Sequence, residues 1–318
     1  MKILLNGYFD RNFGDDLMMR LAYNSLPEHE IYVKKNKYAP DYALEYTDTT
    51  NADISITVTG SGFLLYGYKS ALYRIREIKQ NKLKCKKAVL SCNISPFPNK
   101  FAERVILKQL SDFDFVTVRD KYSYSYIKKH LPNLQCEYYP DIAFSMPEDM
   151  ISDVSCENAL GIAAYKSNYG GLFSRLCDEY AERTGNKILI FALDTGKEND
   201  LTAAEEIKKG MKHECEIIGY DGILKNIRRC SKIITTRFHS LVISLLAGVD
   251  IIPIAYSDKI CHVLSDLKFD GKVFDLKKLD YGELFEEILS DNHSFLLNKS
   301  VSEEAKNHIN RFKELILK

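Results

Sequence analysis

The chain has no charge excess. Its 44 Lys and Arg balance 44 Asp and Glu over 318 residues. A protein held on nucleic acid by phosphate contacts carries a basic surplus, so this balance argues against a nucleic-acid partner. Paired cysteines are missing too. Cys85, Cys92, Cys136, Cys156, Cys177, Cys215, Cys230 and Cys261 are scattered, with no CxxC motif. That argues against a metal centre and for free thiols in a reducing cytoplasm. No window approaches the roughly 18 apolar residues of a membrane span. The longest apolar stretch, 241–254, is interrupted by Ser244, Gly248 and Asp250. Ile3-Leu4-Leu5 is too short an apolar run for a signal peptide. Short repeats and low-complexity segments are also absent. These absences lead us to expect a soluble cytoplasmic protein.

What the sequence does hold is apolar material, 45% of the residues, enough for two cores at this length. Short β-type runs alternate with longer helical ones, the pattern of α/β layers built on parallel sheets. Strands are expected at 2–5, 55–59, 88–91 and 115–118, with helices at 15–25, 71–81, 100–110 and 121–130. A polar stretch, 146–158, reads as a linker. A second series follows, with strands at 159–164, 187–192, 232–235 and 251–254. A helix over 302–317 closes the chain, its apolar face formed by Ala305, Ile309, Phe312, Ile316 and Leu317. The expected division is an N-terminal domain over 1–149, a second over 150–292, and a C-terminal segment, 293–318, packing back across them. Two such domains would face each other across a cleft, with ligands collecting at the carboxyl ends of the strands.

Six motifs sit at such ends. Asn12-Phe13-Gly14-Asp15-Asp16 follows the first strand. A helix N-terminus suits anions, but the acidic pair points to sugar hydroxyls; Asp15 could also simply cap the helix. Gly60-Ser61-Gly62 allows close approach of backbone to a ligand, or forms a plain turn. Arg119 ends a strand, where its guanidinium could grip a carboxylate or phosphate or pair with an acid of its own domain. Asp141, after Pro140, could orient a hydroxyl or a cationic side chain, cap a helix or fix the linker. In Arg237-Phe238-His239, extended backbone would point Arg237 and His239 the same way. That would join a fixed cation to a group that titrates near neutrality. Tyr256 and Lys259 follow the next strand. A lysine opposes the dipole at a helix start, so it either meets an anion or is solvated. The basic run Arg74, Arg76, Lys79, Lys82, Lys84, Lys86 and Lys87 is either a solvated face or a contact for anionic lipid.

In order and rough spacing these motifs resemble the polysaccharide pyruvyl transferase family over residues 1 to about 265. The Arg237-x-His239 element, with Lys259 twenty residues further on, carries most of the likeness. The resemblance implies two Rossmann-like domains in the arrangement called GT-B. It implies phosphoenolpyruvate as donor substrate, with no cofactor and no metal, and a pyruvate ketal as product. Arg119, Arg237, His239 and Lys259 would handle phosphoenolpyruvate. His239, Lys259 and Arg237 would be catalytic, with His239 as acid/base and Lys259 as its partner or as stabiliser of the departing phosphate. Asn12, Gly14, Asp15, Gly60, Gly62, Asp141 and Tyr256 would bind substrate. The acceptor would be a nucleotide- or lipid-linked sugar, with specificity in 63–70. The enzyme would work in the cytoplasm or at the inner face of the membrane, in surface polysaccharide synthesis. Two other readings stand beside this one: a GT-B glycosyltransferase using a nucleotide sugar, and a catalytically silent sugar-binding member of the family.

Overall fold

A computed structural model describes residues 1–33, 38, 42–45, 52–65, 67–80, 83–94, 97–166, 169–196, 198–290 and 295–317. Tyr66, within the expected specificity stretch, and Lys82, within the basic run, lie outside the described residues. The chain divides into two compact units. Unit 1 comprises Met1–Phe9, Asp15–Ser145 and Ser300–Lys318; unit 2 comprises Asp10–Gly14 and Met146–Lys299.

Unit 1 carries a parallel sheet of β1 (Lys2–Asn6), β2 (Glu30–Val33), β3 (Leu44–Glu45), β4 (Ile54–Val58), β5 (Lys86–Cys92), β6 (Phe115–Val118) and β7 (Cys136–Tyr138). Its order is β3-β2-β1-β4-β5-β6-β7. The connecting helices are α1 (Phe13–Asn24), α2 (Tyr68–Gln80), α3 (Lys100–Leu110) and α4 (Lys121–His130). The strand Glu30–Val33 is absent from the sequence reading. Four residues with one polar end give too short a period to stand out beside α1.

Unit 2 repeats the plan with β8 (Ala159–Ala163), β9 (Ile188–Phe191), β10 (Glu216–Ile218), β11 (Cys230–Thr235), β12 (Asp250–Ala255) and β13 (Phe274–Asp275), in the order β10-β9-β8-β11-β12-β13. Helices α5 (Gly170–Thr184), α6 (Asp200–Gly210), α7 (Ile223–Asn226), α8 (Phe238–Ala247), α9 (Asp258–Asp266) and α10 (Tyr281–Leu289) accompany it. β8 and β9 are buried along their whole length. Helices on both faces of a parallel sheet require such unbroken apolar strands. α8 ends at Gly248, whose φ of 72° closes the last turn in the left-handed region, where a side chain would be strained.

The C-terminal helix is in fact two, α11 (Lys299–Ala305) and α12 (Asn307–Ile316), with Lys306 in a turn between them. Ala305, Ile309, Phe312 and Ile316 are buried, and α12 packs on β5 and β6 of unit 1. His308 is buried among them. Its Nδ1 lies 2.6 Å from Thr117 Oγ1 and its Nε2 lies 2.8 Å from the Pro140 carbonyl. A carbonyl only accepts, so Nε2 carries the proton and Nδ1 accepts from the threonine hydroxyl. Burial holds the imidazole neutral, with its pKa lowered to about 4.

In each sheet the strand order reverses once, between β1 and β4 and between β8 and β11. In open α/β sheets such switch points open a crevice at the strands' carboxyl ends, where ligands bind.

Candidate functional site

The structure gathers the expected residues into two clusters, one in each unit. In unit 1 the cluster forms at the ends of β4, β5 and β6. β5 carries an irregularity between Val89 and Cys92, where Ser91 takes a left-handed φ of 62°. A bulge of this kind re-aims the residues that follow it. Asn93 is turned so that its backbone N–H reaches the Gly60 carbonyl at 2.8 Å. Its side-chain oxygen accepts from Arg119 Nη2 at 2.8 Å. Arg119 Nη1 donates to Asp141 at 2.7 Å. Both side chains are almost wholly enclosed, at 2% and 0% exposure. Asp120 caps α4, accepting from the Ser123 backbone N–H at 2.7 Å. Asp141 also accepts from the Ala143 N–H at 2.8 Å.

Gly60 is required here because a Cβ would come within 2.5 Å of the Arg119 guanidinium. The close approach that the glycine permits is therefore to Arg119 itself. Gly62 lies against the Thr59 side chain, and its carbonyl accepts from Arg74 at 2.7 Å.

The unit 2 cluster forms at the ends of β8, β9, β11 and β12. Residues 10–14 belong to it. Asn12 forms an antiparallel bridge with Asp194, and its side-chain amide donates to Asp194 at 3.1 Å. The Phe13 N–H donates to the Leu193 carbonyl at 2.9 Å, and the Thr195 N–H to that of Arg11 at 3.0 Å. Asn12, which accepts from the Gly14 N–H at 3.2 Å, precedes α1 and occupies its cap position. Asp15 lies within the first turn instead. A Cβ on Gly14 would sit 1.7 Å from His239 Nδ1, so only glycine lets the imidazole lie against this backbone. Two motifs more than 220 residues apart in sequence thus meet in one unit.

Arg237 has extended dihedrals at the cap of α8, and the helix begins at Phe238. His239 therefore stands in the first helical turn. The alternation argument for Arg237 and His239 fails, because helical residues project about 100° apart per step. What relates the two is the helix N-terminus itself.

Arg237 is held by Asp200, through Nε at 3.1 Å and through Nη2, and by Glu198 through Nη1. The Asp200 side chain is fully buried; that of Glu198 is 55% exposed. Asp200 also accepts from the Asp194 N–H at 2.9 Å. Burial raises its carboxyl to about 6, against the opposing pull of Arg237.

The Arg237 guanidinium stands 4.8 Å from the Tyr165 ring centroid. Tyr165 stacks on Tyr256 at 4.9 Å with an interplanar angle of 17°. Lys259 Nζ lies 4.9 Å from the Tyr256 centroid. Two cations thus bracket two stacked rings, an arrangement that ring quadrupoles favour. Lys259 is the second residue of α9, after Asp258, so an acid beside it relieves the unfavourable helix dipole.

Sequence reasoning missed Asn93, Tyr165, Asp194, Glu198 and Asp200. A single Tyr or Asn gives no signal. The acids at 194, 198 and 200 follow an apolar strand and could have been weighed as partners for Arg237. Among the described residues, no group of three or more His, Cys, Asp or Glu could hold a metal ion. None of their helices is long and apolar enough to cross a membrane.

Comparison with known proteins follows the same lines. Over 99% of its length the chain is similar to UDP-N-acetylglucosamine 2-epimerase from Rickettsia bellii, covering 95% of that chain, with 10% identity and a TM-score of 0.63. It is similar over its full length to a glycosyltransferase from Rickettsia africae ESF-5, covering 98% of it at 12% identity and a TM-score of 0.55. Against a TarM mutant from S. aureus the match takes in 82% of this chain but only 52% of TarM, at 12% identity and a TM-score of 0.48. No curated protein matches the chain in sequence. The fold is of the GT-B type, with two Rossmann-like parallel-sheet regions. The family profile of the polysaccharide pyruvyl transferases matches residues 12–258, a span that includes the Asn12 loop, both arginine clusters and the Tyr165–Tyr256 stack. The chain belongs to the polysaccharide pyruvyl transferase family.

Proposed function

We propose that the protein transfers the pyruvyl group of phosphoenolpyruvate to a sugar, forming a pyruvate ketal across two hydroxyls in surface polysaccharide synthesis. The observation that carries this reading is the unit 2 cluster. Arg237 and His239 follow β11 and Lys259 follows its neighbour β12, with the stacked rings of Tyr165 and Tyr256 between the two cations. Phosphoenolpyruvate has a carboxylate and a phosphate, and such a donor needs fixed cations for both. The α8 N-terminus adds oriented N–H groups.

In the proposed reaction a proton is added to the methylene carbon, leaving C2 electron-poor. A sugar hydroxyl attacks C2 and loses its proton. The C2–O bond to phosphate then breaks, and a second hydroxyl attacks C2 and closes the ring, its proton leaving with the phosphate. His239 is the acid/base group, and Lys259 offsets the charge on the departing phosphate.

The acids around Arg237 refine this picture. One guanidinium faces two carboxylates, a local balance that repels an anionic donor unless one of them yields. Asp200 is buried and tied to the Asp194 backbone; Glu198 is exposed. Glu198 is the group that gives way, and the donor's anionic group takes its place on Arg237.

The test is phosphate release from phosphoenolpyruvate across a panel of nucleotide- and lipid-linked sugars. At least one acceptor should support turnover, and His239→Ala should lower the rate by roughly 10²–10⁴-fold. Consumption of a nucleotide sugar with no phosphoenolpyruvate requirement would replace this reading with a glycosyltransferase.

A further inference from the structure

The helix α2 has a second face that the proposed chemistry does not use. Its inner face is accounted for: Ala71 is buried, and Ile75 and Ile78 pack on the unit 1 core. Arg74 is tied to the Gly62 carbonyl at 2.7 Å. The outer face carries Leu72 and Tyr73, exposed by 42% and 66%, with Tyr68, 59% exposed, at its edge, where its ring stacks on Phe101 at 4.7 Å. No other helix among the described residues exposes more than one large apolar side chain. Lys69 and Arg76 are exposed between them, and Arg76 lies 6.0 Å from the Tyr73 ring centroid. At 100° per residue these five positions span about 140° of the helix surface.

We infer that this face of α2 rests on an anionic membrane surface. Tyr and Leu side chains on a helix rich in Lys and Arg suit the boundary between headgroups and acyl chains, where aromatic rings sit at headgroup level and cations meet lipid phosphates. Charge complementarity selects the occupant. Among its described side chains the face holds cations and apolar groups with no carboxylate, on a chain whose net charge is zero. Each cation near an anionic leaflet contributes roughly a fivefold gain in partitioning. Arg74 ties α2 to the Gly62 carbonyl, so the same contact would bring a lipid-linked acceptor toward the Gly60–Gly62 loop. The inference does not depend on the donor chemistry.

The experiment is co-sedimentation of the full chain with vesicles of phosphatidylcholine alone and of phosphatidylcholine containing a third phosphatidylglycerol, at low and high salt. Binding should favour the anionic vesicles by at least tenfold and should fall at high salt. Arg76→Glu and the pair Leu72→Ser/Tyr73→Ser should each lower it by fivefold or more. Their thermal midpoints should stay within about 2 °C of the parent, because exposed substitutions cost little. Three results would overturn the inference: equal binding to both vesicle types, no binding, or full binding by the variants. A change from dimer to monomer in the variants by light scattering would also overturn it, by assigning the face to a second copy of the chain.

Discussion

The two units carry the same pairing, an arginine at a strand end against a buried aspartate, and put it in different surroundings. Arg119 faces Asp141 in a nearly closed setting, with Asn93 as a neutral third group. Arg237 faces Asp200 with a second, exposed acid at its outer edge and an aromatic ring over its face. The first pair reads as a fixed element, the second as one built to exchange a partner. Chemical type does not separate them, since both are Arg–Asp. The neighbours do. An enclosed pair has nowhere to send either charge, while an exposed third carboxylate leaves one position that can be vacated.

The largest expected effect tests that contrast directly. Asp141→Ala leaves the Arg119 charge enclosed without a carboxylate and should cost about 3–5 kcal/mol. Asp200→Ala leaves Arg237 with Glu198 and should cost clearly less. Urea unfolding of both variants checks the pair, and equal losses would erase the distinction.

Next in size is His308, which has no counterpart in the unit 2 cluster. Its pKa is depressed on folding, from about 6.5 to about 4. The unfolded chain therefore binds the extra proton across that window. The stability this group contributes is present above pH 6.5 and is lost as the pH falls toward 4, by about 3 kcal/mol. Denaturation midpoints from pH 7 to pH 4 should show the loss, and His308→Gln should flatten it.

The smallest effect is the most particular. Glu198→Gln removes the displaceable acid and should lower KM for phosphoenolpyruvate several-fold with little change in kcat. A collapse of kcat would instead make Glu198 an acid/base group.

The fold was legible from the sequence because parallel strands buried on both faces leave unbroken apolar runs. Ile188–Phe191 is a plain example. Glu30–Val33 was not legible, since it owes its place to pairing with β1 rather than to its own period. The site was partly legible: Arg119, Asp141, Arg237, His239 and Lys259 stand where strand ends put them. An acid of its own domain for Arg119 and a cationic side chain for Asp141 were among the readings that the sequence allowed, but the two were not joined there. Nothing in the order of residues says that Arg119 is satisfied by Asp141, 22 positions away, or that Tyr165 links Arg237 to Tyr256. Those relations come from the β4–β5–β6 and β8–β11–β12 neighbourhoods, which exist only once the sheets form. The alternation applied to Arg237 and His239 failed for a local reason: the helix starts at Phe238, three residues before the apolar run that opens at Leu241.

The assignment of residues 10–14 to the second unit has a practical reach. The backbone passes from one unit to the other after Phe9, Gly14, Ser145 and Lys299. A single cut at residue 145 therefore yields two fragments that each carry a piece of the other. The front half keeps the bridge-forming Asn12 and the glycine that admits His239, but loses the helix bearing His308. Independent expression of either half calls for a rewired chain, with residues 300–318 grafted onto the first fragment and a short peptide supplied to the second.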